Sequence, residues 1–336
     1  MTRSAFALCI ALLFFTTAAQ AQRIYWADTG LLKVKMGFVD VSGFHIDLFD
    51  HPTDSAGTVV DVALDVAGGR VYWSDNGGQK IQVGNVSGTG SPTVLFDNPN
   101  DGVSTPHGVA VDVAGGKIYI ANNGENKIQV GNIDGSGSLT DLFDNATDGL
   151  ISPTDIALDV AGGMIYWIER GGSNIKIQVG NIDGSGSPTD LFDQATDGLG
   201  IVRGIALDVA GGKIYWTDRS NEKIQVGNID GSGSPTDLFD VTDGLNGPFS
   251  IALDIAGGEI YWSDLEAQKI QVGNIDGSGS PKDLFDVSDG LFFPRGIALD
   301  LTVPAVPASS RTGLAVIAVM LVAVVVFTPK RATARV

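Results

Sequence analysis

Ile214-Tyr215-Trp216-Thr217-Asp218 decides how this chain folds, because the same stretch returns at a near-constant spacing. Its counterparts are Tyr25-Trp26-Ala27-Asp28, Tyr72-Trp73-Ser74-Asp75, Tyr119-Ile120-Ala121-Asn122, Tyr166-Trp167-Ile168-Glu169 and Tyr261-Trp262-Ser263-Asp264; the six copies use all six tyrosines and all five tryptophans of the chain. Consecutive tyrosines stand 47, 47, 47, 49 and 46 residues apart. That period belongs to propeller blades and exceeds most helical and leucine-rich repeats.

The fifth copy defines the unit. Ile205-Ala206-Leu207-Asp208 is a short apolar run, Val209-Ala210-Gly211-Gly212 a turn, and Lys213 to Asp218 a run rich in aromatic and β-branched residues. These are strand signals. After Arg219-Ser220-Asn221-Glu222, the segment from Lys223 to Ile229 alternates polar and apolar residues. Asp230-Gly231-Ser232-Gly233 then makes a hairpin turn, and Thr236 to Phe239 closes a four-stranded antiparallel meander. Neighbouring side chains on a strand face opposite ways, so Tyr215 and Trp216 are both buried only if the sheet is covered on both sides, as radially stacked blades are. The acid that ends the motif (Asp28, Asp75, Asp218, Asp264) recurs around the ring and is expected to accept backbone amides rather than to catalyse.

The phase of the chain predicts how the ring closes. It opens on a second-type strand, Ile24 to Asp28, and its last element, Gly296 to Asp300, is a first-type strand, so the two ends complete one blade and leave no open edge. The expected fold is an all-β, six-bladed β-propeller over residues 22–301.

Gly-Ile-Ala-Leu-Asp, Tyr-Trp-Thr-Asp seven residues on, and Ile-x-Val-x-Asn-Ile-Asp-Gly-Ser together resemble the YWTD, or class B, repeats of the low-density-lipoprotein receptor family, from Arg23 to Asp300. The resemblance implies a six-bladed propeller that binds proteins. Two departures keep the family's endocytic role and ligands from carrying over: no cysteine-rich modules flank the repeats, and the usual proline after the first-strand acid is replaced by Val66, Val113, Val160, Val209 and Ile255.

The flanks read as export signals. Arg3, the apolar run from Ala5 to Phe15 and Ala19-Gln20-Ala21 make a secretory leader over residues 1–21. Beyond the propeller come a proline-containing linker (302–311), an uncharged apolar stretch (312–328) of the length of a short transmembrane helix, and a basic tail (329–336) expected to stay cytoplasmic. This tail is similar to the tripartite C-terminal sorting signals of bacterial exported proteins, which implies a membrane-anchored or cell-surface propeller outside the cytoplasm. The sole cysteine, Cys9, lies in the leader, so the remainder can form no disulfide and no thiolate metal site.

Between residues 22 and 302 there are 39 acidic against 16 basic residues, a net charge of −23, which repels phosphate backbones and excludes a nucleic-acid partner. The turns of the Asn228-Ile229-Asp230-Gly231-Ser232-Gly233 type echo the start of a calcium loop, but Phe239 stands where a bidentate glutamate should. They are expected to be structural, with no resident cofactor or metal. So acidic a surface is compatible with weak, non-specific calcium binding.

In a meander, the loops after strands two and four share one rim, and all length differences between copies fall there. The residues expected beside the axis on that rim are Val60 and Asp61, His107 and Gly108, Thr154 and Asp155, Arg203 and Gly204, Phe249 and Ser250, and Arg295 and Gly296. They are the candidate partner-binding positions, chemically suited to a peptide with an acidic or polar anchor. Only Asp61 and Asp155 offer axial carboxylates and only His107 an axial imidazole, so no nucleophile, base and orienter set emerges. The expected function is a membrane-tethered module that binds a protein or peptide and is not an enzyme. The alternatives are an envelope spacer without a specific ligand and a metal-dependent propeller lactonase or lyase.

Overall fold

The computed structural model describes residues 22–302, apart from 40, 51–53, 55–56 and 172–174. The leader, most of the linker, the apolar stretch 312–328 and the basic tail lie outside the described residues. Among the described residues no helix is long and apolar enough to cross a membrane.

Six four-stranded antiparallel sheets stand around one axis. Blade 5 is typical, running from an inner strand Val202–Asp208 through Lys213–Asp218 and Lys223–Asn228 to an outer strand Thr236–Phe239. Its first hairpin explains the two glycines that follow each inner strand. The Gly211 amide donates to Asp208 Oδ1 at 2.8 Å, and a Cβ on Gly211 would stand 2.1 Å from Asp208 Oδ2. Gly212 then takes φ +66°, a left-handed backbone that side chains disfavour. Val209, which replaces the proline of the resembled family, is exposed on this turn and carries no packing role.

The chain ends meet as the phase of the repeats requires. Pro294–Asp300 pairs antiparallel with Arg23–Asp28, setting Tyr25 opposite Ala298 and Trp26 opposite Ile297, and Arg23 bonds Asp300 at 3.2 Å. The first blade is therefore stitched from both termini.

Each aromatic pair buries in two directions. Tyr25 packs with Trp73 of the next blade, whereas Trp26 packs with Tyr261 of the preceding one. The outer-strand phenylalanine of one blade lies on the tryptophan of the next, with ring centroids 4.8–5.1 Å apart in the pairs Phe49–Trp73, Phe143–Trp167, Phe192–Trp216, Phe239–Trp262 and Phe285–Trp26. The same ring covers the glycine of the Lys-Ile-Gln-Val-Gly-Asn strand: a Cβ on Gly227 would come within 2.4 Å of Phe192 Cζ. Inside the blade, Trp216 Nε1 donates to Gln225 Oε1 at 2.9 Å, Gln225 Nε2 to Asp237 Oδ1 at 2.7 Å, and Lys223 pairs with the other oxygen of Asp237 at 2.6 Å. A buried indole thus finds its acceptor, and the outer strand is tied to the third.

The motif-ending acids do accept backbone amides. Asp75 takes Gly57 and Gly78 at 2.7 Å each, Asp218 takes Gly200 at 2.6 Å and Asn221 at 3.1 Å, and Asp264 takes Asn246 at 2.7 Å and Ala267 at 3.0 Å. Each one bridges the loop before its inner strand to the loop after its second strand.

One boundary differs from the sequence reading. The inner strands begin three residues before the apolar runs, as in Val59–Asp65 and Pro106–Asp112, with a break in register after the first pair. The residues placed just ahead of the strands therefore sit inside them, on a bulge that turns side chains towards the axis.

Trp216→Ala is expected to destabilise the domain by about 3–5 kcal/mol and Gly227→Ala by about 1–3 kcal/mol, because the first empties and the second overfills the same blade interface. Urea unfolding midpoints of the two variants check this.

Candidate functional site

The bulges bring two residues of every blade to the axis. The deeper ring reads Asp61, Gly108, Asp155, Gly204, Ser250, Gly296 in blade order, side chain and glycine alternating. Each side chain latches the next blade: Asp61 Oδ2 accepts the Val109 amide at 2.9 Å, Asp155 Oδ2 the Ile205 amide at 2.8 Å, and Ser250 Oγ the Ile297 amide at 3.1 Å. The glycines make room for these groups. A Cβ would stand 2.7 Å from Asp155 Cα at Gly108, 2.8 Å from Ser250 Cα at Gly204 and 2.4 Å from Asp61 Cα at Gly296.

The outer ring is Val60, His107, Thr154, Arg203, Phe249 and Arg295. Phe249 is gripped between two guanidiniums, with Arg203 Cζ 5.2 Å and Arg295 Cζ 5.3 Å from its ring centroid, and Val60 and Leu265 pack beside it. Of the rim residues expected from sequence, Val60, Asp61, His107, Thr154, Asp155, Arg203 and Phe249 line one small axial void together with Ser250 and Gly296; Arg295 reaches it only through Phe249. The void measures about 10 Å³, room for about one water molecule.

Two further residues belong here, Arg170 and Arg219, which stand in the loops after second strands. Each directly follows its motif-ending acid, and its amide donates to a carbonyl ahead of the inner strand, Arg170 to Ser152 at 3.2 Å and Arg219 to Ile201 at 2.9 Å. Thr29, Asn76, Asn123 and Leu265 occupy the equivalent positions; as diverse as the outer ring, they were the signal that could have exposed this site. Thr29 and Asn123 also reach the neighbouring blade, donating to Val59 O at 2.8 Å and Pro153 O at 3.1 Å.

Acids below and cations above divide the electrostatics of the site. Burial pushes the Asp155 carboxyl up to about 7, while burial and then the nearby Asp155 charge hold Asp61 well above the usual carboxylate range. Burial and the positive charges of Arg203, Arg170 and Arg295 push His107 down to about 3, so its imidazole is neutral at physiological pH. Arg203 itself is pushed down to about 9 by burial and by Arg170, Arg219 and Arg295, and still carries its charge near neutrality.

The donor set does not fit a resident divalent cation. Asp155 already accepts Ile156 N on Oδ1 and Ile205 N on Oδ2, and Asp61 accepts Val109 N. Arg203 lines the same void, and among the described residues no three His, Cys, Asp or Glu side chains group as metal ligands. Calcium needs about six to eight oxygens and zinc about four donors. In the hairpin turns that echo calcium loops, Asp230 is spent on its own turn, accepting the Ser232 amide at 2.9 Å and hydroxyl at 2.6 Å.

A carboxyl raised in the fold keeps a proton that the unfolded chain gives up. The Asp155 contribution therefore favours folding at low pH and is lost as pH rises from about 4 towards about 7. Asp155→Asn should flatten that part of the stability profile relative to the parent, read as thermal midpoints from pH 4 to 8.

Among solved structures the chain resembles the crystal structure of a nidogen/laminin complex (TM-score 0.71, 22% identity, covering 84% of this chain and 99% of that one). It also resembles a gluconolactonase from Xanthomonas campestris (0.55, 18%, 79% and 85%) and a putative TolB from Agrobacterium tumefaciens (0.56, 14%, 84% and 99%). At these identities the likeness establishes the propeller fold alone. A comparison with curated proteins finds no match. Residues 62–282, about two thirds of the chain, match the family described as the SMP-30/Gluconolactonase/LRE-like region. That match corrects the expectation that the chain is not an enzyme, which rested on counting axial carboxylates without their environment, and it favours the lactonase alternative over a pure binding module. That match spans more than half of the sequence, and the chain belongs to the SMP-30/gluconolactonase/LRE-like family.

Proposed function

We propose that the protein is a hydrolase that opens lactones, or closely related carboxylic esters, at the variable-rim mouth of its axial channel. The observation that carries this reading is the Asp61–Asp155 pair, two buried carboxyls that line one water-sized void, Asp155 pushed up to about 7 by burial and Asp61 held well above the usual carboxylate range. Two carboxyls that share one buried site can divide acid and base roles, because the charge of one favours the proton on the other. Asp155, ionised in part near pH 7, removes a proton from water as its oxygen bonds to the carbonyl carbon. Asp61, which burial and the Asp155 charge bias towards its protonated form, returns a proton to the ring oxygen as the carbon–oxygen bond breaks, and a hydroxy acid leaves. The Thr154 hydroxyl is buried without a partner among the described residues and lines the same void, where it can donate to the developing oxyanion, while the nearby Arg203 guanidinium favours negative charge there. Because the void holds about one water, the lactone must enter from the rim side, where Phe249 and its two arginines form the outer layer.

Export through the leader, with the propeller held outside the cytoplasm by the C-terminal segment, is part of the same proposal and rests on the sequence of the flanks.

The full chain assayed by proton release against a panel of γ- and δ-lactones should exceed spontaneous opening. Asp155→Asn should lower kcat by about 10²–10⁴-fold with the fold retained. Turnover should survive exhaustive chelation. No lactone opened above background would overturn the hydrolase, and loss of activity on chelation would return the chemistry to a metal.

A further inference from the structure

Of the four arginines at the mouth, three have no ion-pair partner among the described residues. Arg219 is neutralised by an ion pair with Glu266, but Arg170, Arg203 and Arg295 have no carboxylate within ion-pair distance among the described residues. Each of these three also buries an Nε–H that has no hydrogen-bond acceptor among the described residues. They come from different blades, Arg170 from the loop after Met164–Glu169, Arg203 from the inner strand Val202–Asp208 and Arg295 from the closing strand Pro294–Asp300. Nothing local in the sequence forces them together. The ring of Phe249 ties two of them together, since the guanidiniums of Arg203 and Arg295 both lie over it.

Such a cluster is costly as it stands. Like charges repel, buried guanidinium N–H groups without acceptors lose their hydration, and the neutral His107 adds no negative charge. The expense is offset if a negatively charged oxygen group enters, because a guanidinium offers parallel N–H donors that match carboxylate and phosphate oxygens. The setting makes this selective, since the domain as a whole carries a net charge of −23 and disfavours anions, whereas these arginines gather in one place.

We propose that Arg170, Arg203 and Arg295 form an oxyanion receptor at the channel mouth, which takes a carboxylate or phosphate group carried by the substrate. In naming the ligand a substrate the inference rests on the hydrolase reading; the binding of the anion does not. The receptor would hold an anionic lactone by its charged end, with its carbonyl turned down towards Asp61 and Asp155. Neutral lactones of equal size would be poorer substrates.

The test uses the full chain with inorganic phosphate and, separately, malonate, each against sodium chloride at equal ionic strength. Thermal midpoints and calorimetry should give saturable binding of one or both: phosphate alone marks a phosphate ester, malonate alone a carboxylate, and both a general oxyanion receptor. Arg170→Gln and Arg203→Gln should each weaken binding by about tenfold or more, and Arg203→Lys should recover part of it. If Arg203→Gln fails to fold for want of its contact with Phe249, Arg170→Gln, on a loop, carries the test. Saturation should also raise the His107 titration followed by proton NMR, which a merely structural arginine would not do. Shifts no larger than those in sodium chloride, or affinities unchanged in a folded Arg170→Gln, would overturn the proposal. Anion binding without lactone turnover would remove the hydrolase and leave the receptor, and turnover without anion binding would do the reverse.

Discussion

A phenylalanine ring laid across a glycine is the contact on which the propeller depends. In every blade interface, the outer-strand phenylalanine of one sheet covers the third-strand glycine of the next, from Phe49 on Gly84 round to Phe285 on Gly37. The glycine is chosen for nearness, since the ring sits where its Cβ would be, and the tryptophan beside it supplies the apolar floor. Flat rings wedged between sheets set the blade spacing, and six equal spacings close the circle. The axial geometry follows, because the latches of Asp61, Asp155 and Ser250 reach the next blade only if that spacing holds.

Departures from the repeat confirm the roles of its parts. Blade 3 has Ile120 in place of tryptophan, and Gln129 there accepts from Asn122 instead, at 2.8 Å. In the first blade, Lys35 replaces the glutamine; an ammonium cannot accept, so Trp26 Nε1 is left without a partner while Lys35 sits 3.7 Å from Asp28. In blade 2, Val94 stands where the other outer strands carry an aspartate, and Lys80 lies 3.7 Å from Asp75. The aromatic wedge survives these local rewirings, so the polar ties serve the wedge and do not create it.

Sequence periodicity revealed the aromatic pairs, the blade count and the shared first blade, because strand alternation and repeat phase are local properties that survive in one dimension. The acceptor role of Asp75, Asp218 and Asp264 followed from repetition in the same way. The bulged starts of the inner strands did not, since they are made by hydrogen bonds from the neighbouring blade some 50 residues away, as from Ile205 to Asp155. Arg170 and Arg219 were hidden for a similar reason: only the anchoring of their amides to Ser152 and Ile201 turns a loop residue towards the axis. Asp61 and Asp155 are named from sequence as axial carboxylates, without their burial. Depth in the channel, absent from a string of letters, is what makes them titrate unlike surface acids.

The alternation of bulk and emptiness in the deeper ring has a consequence for how this lumen can change. Asp155 occupies space that Gly108 vacates, Ser250 that of Gly204, and Asp61 that of Gly296, so the six positions form three dovetailed couples. Neither member of a couple can be enlarged alone, whereas the outer positions from Val60 to Arg295 carry no such mutual lock. Chemical novelty in this channel should therefore accumulate at its lip, while its throat drifts only by paired exchange.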